Sequence, residues 1–286
     1  MEEEDELLEP VSPTAQCFNT SALSISVIAV VEFEIPIDEA KIMCYAKDFI
    51  PLNPLFSSIM TVNDVVVGML FLGIRLYMEE TRPESTKSNS TALVLLNTRM
   101  FRTYKCMEDM LNPNSNTPWG NRFAFLHIDI PKLTDFNLSN PLQLVEAAQK
   151  LIKRKRDSSA VFLVDKLMQM IHKFRGSEVY PNIIYIYIYI VLSSKYVYKT
   201  IKNSSLSISN LIGPKEKMAL TGHPAKGMYF TVVGIPQSLK ISVISYMENL
   251  RIAFGGEKEF IDQEKLTSCM KKAFDYIHKA SIDVSI

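Results

Sequence analysis

The run Val65-Val66-Val67-Gly68-Met69-Leu70-Phe71-Leu72-Gly73-Ile74 limits what this chain can become. It opens on Thr61-Val62-Asn63-Asp64, where Thr61 or Asn63 can cap a helix. Asp64 falls in the first turn, where the helix dipole favours a carboxylate. Beyond it, Val65 to Leu72, Ile74 and Leu76 leave no polar face, and such a helix is buried on every side. The apolar run breaks at Arg75, short of the roughly 20 apolar residues that a bilayer crossing needs. A central core helix over Thr61–Tyr77 is therefore expected.

The rest of the chain can supply the surround. Its 286 residues are 47% hydrophobic, enough for one large domain or two modest ones. Thirty-one basic residues balance 31 acidic ones, so no overall basic field attracts nucleic acid. Cys17, Cys44, Cys106 and Cys269 are far apart, with no C-x-x-C pair. That spacing argues against a zinc site or a disulfide framework and suits a reducing compartment. The acidic start Met1-Glu2-Glu3-Glu4-Asp5-Glu6 is not a secretory signal, and no stretch reaches transmembrane length.

Apolar periodicity and breakers set the expected elements. Leu23–Ile35 reads as a long strand ended by Pro36, followed by a helix from Asp38 to about Phe49 and a short strand over Phe56–Met60. After the central helix, Glu79–Ser90 is a polar loop, Ala92–Leu96 a buried strand and Leu111–Gly120 a second loop holding Trp119. Arg122–Ile130 reads as a strand, and Asn140-Pro141 starts a helix to about Lys155. A further helix is expected over Ser158–Phe174. Ser205–Leu211 reads as a strand with a turn at Gly213-Pro214. Met228–Val233, Leu239–Met247 and Leu250–Phe254 read as a meander, and Asp262–Ser281 as a terminal amphipathic helix. Strands interspersed with helices in this order imply an α/β mixed-sheet sandwich.

One segment is anomalous. Ile184, Ile186, Ile188 and Ile190 alternate with Tyr185, Tyr187 and Tyr189, which puts the tyrosines on one side of an uncharged strand. A TA dinucleotide repeat encodes Ile-Tyr, so residues 183–198 read as translated simple-sequence DNA and an aberrant insertion.

Four histidines offer a base near neutral pH. His172 and His278 adjoin Lys173 and Lys279 on expected helices and read as solvated faces. His127, in His-Ile-Asp, reads as a structural, hydrogen-bonded strand residue, and His223 as a structural turn residue between Gly222 and Pro224. No G-x-S-x-G, P-loop or G-x-G-x-x-G occurs. The basic run Lys153-Arg154-Lys155-Arg156 complements the end of its helix; an anionic membrane surface, a phosphate-bearing ligand or a localisation signal are the other readings.

Five short segments, in order, resemble the plant branch of the wax ester synthase/diacylglycerol acyltransferase family. They are Glu9-Pro10-Val11-Ser12-Pro13-Thr14, the Asn63-Asp64-Val65 helix, Trp119-Gly120-Asn121, the Ser209-Asn210-Leu211-Ile212-Gly213-Pro214 turn with Gly222-His223-Pro224 after it, and Ser245-Tyr246-Met247. The resemblance implies a fold like the chloramphenicol acetyltransferase-like, coenzyme-A-dependent acyltransferases, with two α/β lobes and a tunnel between them. It implies acyl-CoA as a substrate rather than a cofactor, a long-chain alcohol or diacylglycerol as acceptor, and wax esters or triacylglycerol as products. It also implies peripheral attachment to the endoplasmic reticulum or plasma membrane.

The family's catalytic signature is His-His-x-x-x-Asp-Gly, whose second histidine takes the hydroxyl proton. Nothing in this chain matches it. In the family that signature precedes the Asn-Asp-Val helix; here Phe56-Ser57-Ser58-Ile59-Met60 runs straight into Thr61. The expectation is thus a remnant of the N-terminal lobe over 1–60, a largely present C-terminal lobe over 61–286, and no catalytic or metal-binding residue. Asn63, Asp64, Ser209, Asn210, Gly213, Pro214 and His223 carry over as structural or tunnel-lining positions. A defective enzyme, or a non-catalytic partner of an intact family member or a membrane surface, follows from the same reading.

Overall fold

The computed structural model describes residues 24–33, 62–97, 123–135, 140–157, 195, 198–220, 223–247 and 249–283. The elements expected over 38–49, 56–60 and 158–174, the loop with Trp119 and the Ile-Tyr alternation lie outside them. So do His172, Cys17, Cys44 and Cys106.

The central element forms as expected and runs further, as α1 (Val62–Thr81). Every residue from Asp64 to Tyr77 is buried. Asn63 lies inside the first turn rather than at the cap, because its side chain is engaged elsewhere. Two amphipathic helices flank α1: α2 (Leu142–Arg156) on one side and α3 (Gln263–Asp283) on the other. A Cβ on Gly68 would stand 2.8 Å from the Val145 Cα, so only glycine lets α1 and α2 approach this closely.

The helices cover one face of a five-stranded mixed sheet. Its strands are β2 (Thr91–Asn97), β3 (Phe123–Asp129), β4 (Leu206–Ile212), β7 (Leu239–Tyr246) and β8 (Asn249–Gly256), in the order β3-β2-β4-β7-β8. β2, β4 and β7 are parallel to one another, and β3 and β8 are antiparallel edges. Strand alternation decides which residues meet the helices. Val94, Ile128, Ile208, Ile241, Val243 and Ile252 join the helical core, while their neighbours in sequence face the other way.

A second sheet holds β1 (Ser26–Phe33), β6 (His223–Val233) and the short β5 (Ala219–Leu220), ordered β1-β6-β5. β6 packs on β7 and β8. The α/β mixed-sheet class holds, but the meander does not. β7 pairs with β8 as expected, whereas β6 pairs with β1 and β7 with β4. Gly234 takes a positive φ of 83° and Pro236 follows, so the chain leaves β6 for the other sheet instead of turning back alongside it. His223 opens β6, paired with Leu220, and is not in a turn. Pro224 lacks an N–H and sits near the strand start, where sheets tolerate it.

Two buried cations tie these layers together. Arg75 is fully buried on α1, and its Nε and Nη2 donate to Pro131 O at 2.8 Å and Ile130 O at 2.5 Å. Its Nη1 donates to Ser88 O at 3.1 Å. The residue that ended the apolar run thus stays in the core, because three backbone carbonyls replace its water. Arg251 on β8 reaches β1, where Nη1 lies 2.8 Å from Glu32 Oε2. The pair is misaligned for a hydrogen bond, so the contact is ionic. A side chain at Gly227 would overlap the Arg251 guanidinium.

Candidate functional site

The sheet face turned away from the helices borders a cavity of about 390 Å³. It lies between the five-stranded sheet and β1 and β6. Alternation selects its walls: Leu93 and Leu95 from β2, Phe123 and Phe125 from β3, and Phe230 and Val232 from β6. The two phenylalanines meet edge to face, 5.3 Å apart at 82°, which suits their ring quadrupoles. Ser207, Ser209 and Ser242 supply hydroxyls from β4 and β7, and Gln237 and Lys240 complete the polar lining. Among the described residues no histidine or carboxylate lines the cavity. Such a wall suits an elongated apolar ligand with a small polar head.

The motif residues expected to matter gather at one end of β4. Ser209 and Asn210 both line the cavity. Asn210 Nδ2 donates to Asn63 Oδ1 at 2.8 Å, which joins the two segments across 147 residues. Asp64 is buried in the first turn of α1. The Gly213 N–H donates to Ser245 Oγ at 3.2 Å, and Pro214 O accepts from the Met247 N–H at 2.8 Å. A Cβ on Gly213 would overlap Ser245 O, so this turn packs flush on the end of β7. The backbone of His223 belongs to β6.

Tyr246 braces the same end. It is buried, its hydroxyl donates to Ala225 O at 3.0 Å, and it accepts from the Met218 N–H at 2.9 Å. Met247 then takes a φ of 54° at the β7–β8 hairpin.

His127 lies on β3, on the same sheet face as Phe125, but outside the cavity lining. It is exposed, and its place in the strand is paired with Leu93. Partial burial and the Lys155 charge hold its pKa below the ordinary histidine value. His278 is half-buried and stacks on Phe274 with ring centroids 5.8 Å apart, so it is not a purely solvated residue. The basic residues 153–156 do end α2, as expected.

The sequence reading missed Gln237, Lys240 and the serines Ser207 and Ser242. The serines left a trace, since Leu206-Ser207-Ile208-Ser209 alternates small polar with apolar residues. Gln237, after Gly234-Ile235-Pro236, left none.

Residues 119–278 match the model of the WS/DGAT C-terminal domain. Among curated proteins of Arabidopsis thaliana, the chain is 28% identical over 207 residues to wax ester synthase/diacylglycerol acyltransferase 4, covering 68% of this chain and 36% of that one. It is 26% identical over 237 residues to wax ester synthase/diacylglycerol acyltransferase 11, covering 78% and 45%. The chain spans less than half the length of these relatives. Among solved structures, a wax ester synthase/diacylglycerol acyltransferase from Marinobacter aquaeolei VT8 aligns with a TM-score of 0.46 and 15% identity, over 77% of this chain and 44% of that one.

Proposed function

The chain belongs to the wax ester synthase/diacylglycerol acyltransferase family, and from that premise we propose that it is a substrate-binding half of an O-acyltransferase that lacks its own general base. Its ligands are acyl-CoA and a long-chain alcohol or diacylglycerol. In the intact reaction the acceptor oxygen attacks the thioester carbonyl, its proton is taken in the transition state, and coenzyme A leaves as the thiol. The chain has no His-His-x-x-x-Asp-Gly to take that proton.

The cavity between the two sheets carries this reading, being hydrocarbon-lined with a few hydroxyls and, among the described residues, no histidine or carboxylate. His127 is exposed and outside that lining. Residues 1–60 are then a remnant of the N-terminal lobe, 61–286 the C-terminal lobe and 183–198 an insertion. Genomic DNA across codons 60–61 and 183–190 tests this division. A catalytic exon between the first pair, or an intronic TA repeat at the second, supports it; uninterrupted coding sequence at both counts against it.

Ester formation from labelled acyl-CoA with a fatty alcohol or diacylglycerol is the direct assay, and no turnover is expected. Turnover that disappears in His223→Ala but persists in His127→Ala would show that the chain carries a substitute base.

A second reading is favoured by Val27, Leu211 and Ile212, which line the cavity yet are 63%, 48% and 79% exposed. Such an apolar rim is a contact surface. In this reading the chain is a non-catalytic partner of an intact family member, or rests on the endoplasmic reticulum or plasma membrane. No helix among the described residues is long and apolar enough to cross a bilayer. Co-purification with a full-length relative, or flotation with vesicles, supports it; a monomer that binds neither counts against it.

A further inference from the structure

We propose that the cavity between the two sheets also binds a free fatty acid, whose carboxylate is held by Ser207, Ser242 and Lys240. The inference goes beyond the acyltransferase reading above, because a carboxylate is neither the donor nor the acceptor of the ester-forming step.

The register of the five-stranded sheet divides the cavity wall into two halves. In the parallel pairing of β4 with β7, Ser207 stands beside Lys240 and Ser209 beside Ser242. On the other side of β4, Leu93 stands beside Ser207, and Leu95 is paired with Phe125. Residues two apart on a strand share a face, and all of these line the cavity. Its β4–β7 half is therefore polar and its β2–β3 half hydrocarbon.

The polar half is buried but open. Ser207, Ser209 and Ser242 are 7%, 8% and 3% exposed. Among the described residues none of their hydroxyls has a hydrogen-bond partner, and none is among the polar atoms sealed from solvent. The hydroxyls thus border the cavity space itself. Buried hydroxyls are nearly always paired, so water or a ligand head completes these. Lys240 is half-buried and has no ion pair among the described residues. Gly255, opposite it on β8, adds no side chain to cover it.

The donors state which head fits. A carboxylate brings two oxygens, about four acceptor sites and one negative charge. Three hydroxyls and one ammonium supply the donors, and the ammonium supplies the single positive charge. An alcohol or ester head leaves that charge unanswered, and a phosphomonoester brings roughly −1.5 to −2, more than one lysine offsets. Hydrogen bonds to an ionised group are the stronger kind, although water at the half-buried lysine screens part of the gain. A space of about 390 Å³ is at the small end of ligand sites, which suits one hydrocarbon chain rather than two. Hydrolysis of an ester or a thioester is the class of reaction that supplies such a ligand.

Equilibrium dialysis of the full chain against trace radiolabelled dodecanoate, 1-dodecanol and dodecanoyl-CoA tests this. Lys240→Met keeps the aliphatic stem and is expected to weaken dodecanoate about tenfold while leaving dodecanol unchanged. Lys240→Arg restores dodecanoate, and Lys240→Gln reads like the methionine variant should that one not fold. Ser242→Ala weakens dodecanoate about threefold without lowering the thermal midpoint, since its hydroxyl has no protein partner to lose. Dodecanoate binding that is indifferent to Lys240→Met overturns the proposal. So does an equal loss in Lys258→Met, an exposed lysine outside the cavity lining, because the effect is then one of diffuse surface charge. Binding of dodecanol or dodecanoyl-CoA without dodecanoate sinks the fatty-acid site alone, whereas binding of none of the three sinks the acyltransferase ligands with it.

Discussion

Asn210 Nδ2 and Asn63 Oδ1 lie 2.8 Å apart, the one at the end of β4 and the other in the first turn of α1. The bond fastens the central helix to the strand that lines the cavity with Ser209. It also uses the oxygen that would otherwise cap the helix. A double-mutant cycle with Asn63→Ala and Asn210→Ala in urea should return a coupling of about 1 kcal/mol, the usual net worth of such a bond. Strictly additive losses would mean that the two amides are held independently.

Arg75 is the costlier contact. Arg75→Leu leaves the carbonyls of Ser88, Ile130 and Pro131 without their donor. A loss of about 2 to 4 kcal/mol is expected, larger than for an exposed arginine. Arg75→Lys should recover only part of it, since an ammonium lacks the planar fork. Denaturant midpoints of the three proteins check both statements.

At Gly68 the limit is steric. Gly68→Ala sets a methyl 2.8 Å from the Val145 Cα, which is backbone and cannot rotate away. A destabilisation of about 1 to 3 kcal/mol is expected from overpacking, and Gly68→Val should cost more. Thermal unfolding measures it; an alanine variant as stable as the parent would mean that α1 and α2 shift apart freely.

Cys269 gives a pH dependence. It is fully buried on α3, where burial first, and then the neighbouring Glu80 charge, push its thiol up to about 11. The neutral thiol is thus favoured by the native state. The stability this confers is complete below the unfolded thiol's pKa, near 8.5 to 9, and is lost as pH rises through about 11. The parent should lose about 2 kcal/mol more than Cys269→Ala between pH 8 and pH 11. Thiol reagents at pH 8 should not label Cys269 before unfolding.

The legible part of the fold is the part that rests on local periodicity. The solid apolar run from Val65 to Leu76, the alternation in β3 and β4, and the amphipathic pattern of α3 each identify an element without reference to any other. The partner of a strand is not written locally. Met228–Val233 and Leu239–Tyr246 carry the same alternation whether they pair with each other or cross between sheets, and the outcome turned on the positive φ at Gly234 and on β1 from far upstream. Arg75 was misleading for a related reason. Sequence shows a charge at the end of an apolar run, but not the three carbonyls that arrive from other segments to replace its water.

The site divides the same way. Asn63, Ser209, Asn210 and Gly213 were marked by motif, yet their roles emerged only when α1, β4 and β7 met. Gln237 was invisible, because a glutamine becomes informative only when its amide is seen buried and unpaired.

By itself, the sequence determined a buried central helix, an α/β mixed sheet and kinship with an acyltransferase family, because hydrophobic periodicity and short ordered motifs are local properties of a chain. Tertiary structure alone decided that β6 leaves the meander, that Arg75 stays in the core, and that serines from two strands border an apolar cavity. Each of those depends on which groups from distant segments replace water around a polar atom, and that pairing exists only once the chain has packed.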